Sequence, residues 1–152
     1  MSLKQRLTEE LKGALKAREE FRVNALREML GALRYAELEK SGELTESEEL
    51  SVLSKLKKRH QESIEAFEKG NRSDLANKER EELNVIEKFL PSPLSAEEIS
   101  QLVKRAIEET QARGLKEMGK VMSALKDRYS GRADGKVVSE EVKRQLSEMG
   151  KS

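Results

Sequence analysis

The chemistry-bearing residues of this 152-residue chain are few. His60 is the single histidine and there is no cysteine, so thiolate catalysis, disulfides and cysteine zinc sites are excluded. A metal site or a catalytic triad built around His60 would need partners at suitable spacing, such as a second histidine four residues away. His60 instead continues a stripe with Leu53, Leu56, Ile64 and Phe67, which predicts a packed structural histidine, with pH sensing as the alternative. Paired carboxylates recur at Glu9–Glu10, Glu48–Glu49, Glu81–Glu82, Glu97–Glu98 and Glu140–Glu141. Neighbours on a helix point about 100° apart, so such pairs do not converge on a substrate. They suit first turns and solvated faces. No catalytic residue, no metal ligand and no cofactor is expected.

Two basic segments remain. Lys55-Leu56-Lys57-Lys58-Arg59-His60 reads as a salt-bridged face, with Glu62 four residues after Lys58. The stretch from Arg113 to Lys136 carries more. Its seven basic residues (Arg113, Lys116, Lys120, Lys126, Arg128, Arg132, Lys136) stand against Glu117, Asp127 and Asp134, a local +4 in a chain of net charge +1. Gly114, Gly119, Gly131 and Gly135 lie in the same stretch. Glycines let a backbone approach a partner closely, and basic groups at helix starts hold phosphates. The competing reading is that these glycines end helices and that Gly119 permits close helix packing. The phosphate-loop spacing of nucleotide-hydrolysing sites is missing.

The elements that must position these residues are helical. Charged residues make up 39% and aromatics 3%, which suits amphipathic helices and not a sandwich or barrel. Apolar residues at helical spacing exclude a disordered chain. Capping boxes at Ser2/Gln5, Thr45/Glu48 and Ser95/Glu98 start three helices. Helices are predicted from Ser2 to about Ala17, Glu20 to Lys40, Thr45 to Gly70 and Ser73 to Leu90, with Gly42 and Gly70 as stops. Pro91 and Pro93, the only prolines, break the chain. Beyond them come a helix from Ser95 closed by Gly114, one over Lys116–Arg128, and a last one capped by Asp134 and running to about Met149. The expected architecture is all-α: an N-terminal domain of helical hairpins or a bundle over 1–90, a proline linker over 91–95, and a small three-helix domain over 96–152. The N-terminus lacks the apolar run of a signal peptide, and no stretch reaches the roughly 20 apolar residues of a membrane span, so a cytoplasmic address is expected.

Gly119-Lys120-Val121-Met122, followed by Gly131-Arg132-Ala133-Asp134-Gly135-Lys136-Val137-Val138, is similar to the C-terminal signature of YqeY-like proteins. It also resembles the tail of the GatB chain of the aspartyl/glutamyl-tRNA amidotransferase. Ser2-Leu3-Lys4, Arg27 to Glu39, Ser41-Gly42-Glu43-Leu44, Arg59 to Glu68 and Leu90 to Ser95 with Glu97-Glu98 extend the resemblance over nearly the whole chain. The resemblance implies an all-helical protein whose tail is associated with tRNA recognition. It also implies a family-level link to carbon–nitrogen ligase activity with glutamine as amide donor. In the amidotransferase that chemistry belongs to a cradle domain and to a separate polypeptide, and this chain has no counterpart of the cradle. The expected RNA-binding residues are Lys116, Gly119, Lys120, Arg128, Gly131, Arg132 and Lys136, with Asp134 as a cap. The expected partners are tRNA and a protein of the translation or aminoacyl-tRNA machinery, with no membrane and no DNA. A helical protein–protein adaptor is the alternative.

Overall fold

Ser2, Thr45 and Ser95 each accept a hydrogen bond from the backbone N–H three residues on, at 3.2, 3.1 and 3.1 Å. Gln5, Glu48 and Glu98 return the bond by accepting from the N–H of the cap residue. These reciprocal pairs satisfy amide donors that a helix start leaves bare. In the computed structural model, which describes residues 1–150, they open α1 (Leu3–Ala17), α3 (Glu46–Lys69) and α5 (Ala96–Thr110). The remaining helices are α2 (Glu20–Lys40), α4 (Ser73–Glu87), α6 (Met118–Tyr129) and α7 (Gly135–Met149), with a 3-10 turn at Leu115–Glu117. No strand occurs among the described residues, and the fold is all-α. No helix among them is long and apolar enough to cross a membrane.

The helix ends correct one expectation. Gly42 and Gly114 are not the terminating residues. The left-handed positions are held by Arg18, Ser41, Asn71 and Gln111, at φ 56–62°. Each is followed by an N–H that reaches back to an orphan helix carbonyl: Glu19 to Ala14, Gly42 to Glu37, Arg72 to Phe67 and Ala112 to Ile107. That recovered bond offsets the cost of about 1–2 kcal/mol for a left-handed L-residue. Gly114 is extended and leads into the 3-10 turn.

The chain divides into two compact units, Met1–Pro91 and Ser92–Ser152, the second described to Gly150. In the first, α1 pairs with α2 and α3 with α4, while α2 also packs on α3 and α4. Central placement requires α2 to be apolar on more than one side, and Ala25, Leu26, Met29 and Leu33 are all fully buried. Leu7, Leu53 and Ile86 complete this core. In the second unit α5, α6 and α7 pack mutually around Val103, Val121, Leu125, Val142 and Leu146.

One ion-pair cluster of the second unit gives a pH prediction. On α7 the Arg144 guanidinium grips both oxygens of Glu141 at 2.8 Å, and Gln145 donates to Glu141 and to the Ser100 carbonyl. Arg144 is the main reason that the Glu141 carboxyl sits at about 2, burial opposing and Gln145 assisting. A carboxyl with a lowered pKa stabilises the fold above its unfolded value and loses that contribution as the pH falls through the folded value. Glu141→Gln is expected to cost the second unit about 1 kcal/mol at pH 7, after allowing for water around Arg144. The gap from the parent should close between about pH 4.5 and pH 2, measured by urea unfolding across that range.

Candidate nucleic-acid interface

The 3-10 turn carries Lys116, and the first turn of α6 carries Gly119 and Lys120, all exposed. Lys116 and Lys120 are thus one helical turn apart. At the far end of α6, Gly131 takes φ 76° in the α6–α7 loop, where Arg132 and Ala133 donate to the Tyr129 carbonyl at 2.8 and 3.0 Å. Asp134 then accepts from the Lys136 N–H at 2.9 Å and caps α7, as its position before Gly135 and Lys136 predicts. The Lys136 side chain is exposed in the first turn of α7.

The seven expected contact residues divide by what already occupies them. Arg128 is paired with Glu109 of α5 at 2.5 Å, which holds the Glu109 carboxyl below its usual range. Arg132 donates from Nε to the Ser92 carbonyl at 3.0 Å, and its own carbonyl accepts from the Leu94 N–H at 2.8 Å. It therefore fastens residues 92–94 to the α6–α7 loop. Gly131 is required by the left-handed turn. Among the described residues the side chains of Lys116, Lys120 and Lys136 make no ion pair or hydrogen bond. They stand free in solvent. Gly135 packs under the Tyr129 hydroxyl, 3.5 Å from where a Cβ would stand.

The surroundings of Gly119 bear on its packing role. A Cβ built there would meet nothing within 4 Å, so no neighbouring helix needs the missing side chain. The packing explanation fails for this glycine within the unit. What remains is an exposed backbone patch between two free lysines. Gly119→Ala should stabilise α6 by about 0.5–1 kcal/mol through helix propensity. If a phosphate backbone lies against this turn, the same change should weaken RNA binding about threefold or more. A thermal melt beside a binding titration separates the two effects.

The free lysines do not meet at one point. α6 has 12 residues, a span of about 18 Å, with Lys116 and Lys120 at its start and Lys136 beyond its end. Such spacing suits a ligand with successive charges over a comparable length. It does not suit a small anion held in a pocket.

A polar centre in the first unit lies outside these expectations. His60 is buried, 6% exposed, with Nε2 2.8 Å from Glu28 Oε1 and Nδ1 2.5 Å from Glu79 Oε2. Burial pushes the imidazole pKa down, but Glu28 and then Glu79 more than offset it and hold it above the usual value. Glu82, 8% exposed, points to the same place, and burial followed by the nearby Glu79 raises its carboxyl. The partners come from α2 and α4, so a search for spacing around residue 60 could not find them. A signal did exist: Glu79, Glu82, Leu83 and Ile86 share helical spacing, which puts two carboxylates on the apolar face of α4.

A family model described as Yqey-like protein matches residues 4–146. Among curated relatives, the Saccharomyces cerevisiae (strain ATCC 204508 / S288c) protein named "Altered inheritance of mitochondria protein 41, mitochondrial" is 33% identical over 102 residues, 65% of this chain and 55% of that protein. The protein of the same name from Pyrenophora tritici-repentis (strain Pt-1C-BFP) is 30% identical over 141 residues, 90% of this chain and 77% of its own length. The match therefore spans little more than half of the yeast protein.

Proposed function

Because the chain belongs to the YqeY-like protein family, we propose that its C-terminal unit is a binding module for structured RNA, tRNA in the first place, acting without catalysis of its own. The observation that carries this reading is the row of free cations, Lys116, Lys120 and Lys136, spread over about 18 Å beside the open backbone of Gly119. A row of point charges reads phosphates and shape, and the 3% aromatic content offers little for stacking on bases. Arg128 and Arg132 contribute by holding the loop geometry more than by contacting RNA. The association with amidation of misacylated tRNA, and with a carbon–nitrogen ligase, belongs to this proposal as the setting in which such a module works. The cytoplasm is the address we propose for this chain, whereas the fungal relatives carry mitochondrial names.

The test is fluorescence anisotropy of labelled tRNA with the pure protein at about 50 and 200 mM salt. Each phosphate neutralised contributes about −0.9 to the slope of log affinity against log salt. Three contacts then predict a loss of about 40-fold over that fourfold change in salt. Absent binding, or binding indifferent to salt, would sink the reading.

A second reading, a helical adaptor for a translation protein, is favoured by Tyr35 and Leu38. They lie three residues apart on α2 with most of their surface exposed. Tyrosine is a common anchor of protein interfaces, and an apolar helix face docks into a partner's groove. Salt-insensitive capture of a protein partner, lost in Leu38→Glu, would support it over the RNA reading.

A further inference from the structure

From the cluster in the first unit we infer that His60, Glu79 and Glu82 form a binding site for a divalent transition-metal ion of the zinc or manganese type, with Glu28 orienting the histidine. A nitrogen of His60 and a carboxylate oxygen from each of Glu79 and Glu82 lie within 4.8 Å of one another. Ligands about 2.0–2.2 Å from a tetrahedral ion stand somewhat over 3 Å apart, so small side-chain rotations bring the three atoms onto one ion. Glu79 and Glu82 are one turn apart on α4 and project from the same face, while His60 faces them from α3. The two helices form a packed hairpin, which fixes the distance between the donors.

Glu82 adds a third carboxylate that the hydrogen bonds of the histidine leave out. The residue is 8% exposed and offers a carboxylate oxygen to the cluster; among the described residues it makes no hydrogen bond, and its oxygens keep some contact with solvent. Partial desolvation and the neighbouring Glu79 both work against its charged form. His60 and then Lys78 favour its charged form, but less than burial and Glu79 oppose it. Even with His60 protonated, the carboxylates of Glu28, Glu79 and Glu82 leave the cluster with surplus negative charge. A divalent cation cancels that surplus and gives Glu82 a partner. The Nε2 bond to Glu28 completes the arrangement, because a metal-bound histidine commonly donates its second ring N–H to a carboxylate. Nδ1, on the Glu79 side, is then the ligating nitrogen.

The donor set selects the ion. One imidazole nitrogen with two carboxylate oxygens suits zinc and manganese. Magnesium and calcium prefer oxygen alone, and copper(I) prefers sulfur. Glu28 and Glu79 remain partly exposed, so an ion can reach the site from solvent.

The test is isothermal titration of Zn²⁺ into chelator-treated full-length protein, beside a melt with and without the ion. One ion per chain is expected, with a melting rise of about 5 °C or more at saturation and no response to Mg²⁺ at the same concentration. Glu79→Gln and Glu82→Gln should each weaken Zn²⁺ binding by about tenfold or more, and Glu28→Gln by about tenfold. Metal-free Glu82→Gln should melt no lower than the parent, since it removes a partly desolvated charge beside Glu79, so lost zinc binding there is not lost folding. Failure to bind one Zn²⁺ per chain, or equal affinity in the parent and Glu82→Gln, would overturn the proposal.

Discussion

Changing Lys116, Lys120 and Lys136 together to glutamate is expected to lower tRNA affinity by about 100-fold or more at low salt and to flatten the salt dependence of whatever binding remains. Each lysine that contacts a phosphate contributes close to one unit of salt slope, and reversal adds repulsion to the loss. The folded state should hardly notice, because the three side chains are exposed and without ion pairs, and such surface changes fall within about 0.5 kcal/mol. An unchanged melt with lost binding is therefore the signature of an interface. Arg132→Ala makes the contrast. It breaks the tie from Arg132 to the Ser92 carbonyl, so it should lower stability as well as binding and cannot by itself assign a contact.

Leu125→Ala is expected to abolish RNA binding by a different route. Leu125 is fully buried at the centre of α6 among Val103, Val121, Val142 and Leu146. Removing its branched end costs the transfer energy plus the cavity left behind, about 3 kcal/mol. A unit of about 60 residues seldom holds more than about 3–5 kcal/mol in its core. The variant should leave the second unit largely unfolded at 37 °C, with its methyl and amide resonances collapsed toward random-coil positions. Retention of a dispersed spectrum for residues of α5–α7 would contradict the packing described here.

The sequence disclosed elements better than sites, for physical reasons visible at single residues. A capping box is a local pattern of hydroxyl and carboxamide or carboxylate three residues apart, so Ser2/Gln5, Thr45/Glu48 and Ser95/Glu98 could be read directly. The bounds of α2 followed from its apolar spacing. Helix stops were less legible. Gly42 is the natural stop, yet Ser41 takes the left-handed geometry because the bond from Gly42 to Glu37 offsets its cost. At the candidate interface the local charge was legible, but its division was not. Only the fold reveals that Arg128 is taken by Glu109, that Arg132 fastens a loop, and that Lys136 stands a helix length from Lys116. Whether Gly119 serves helix packing was open in the sequence, and the empty space around a Cβ excludes it. The burial of His60 was legible from its stripe, but its carboxylate partners were not, since they arrive from α2 and α4 across intervals of 32 and 19 residues.

RNA binding by the C-terminal unit is tested by an amide chemical-shift titration of the labelled full-length protein with unlabelled tRNA, read residue by residue. Binding through the C-terminal unit predicts shifts concentrated at Lys116, Gly119, Lys120 and Lys136, reversed by raising the salt, with Glu28, His60 and Glu79 unmoved. Shifts confined to α1–α4, or no shifts at saturating tRNA, would contradict it.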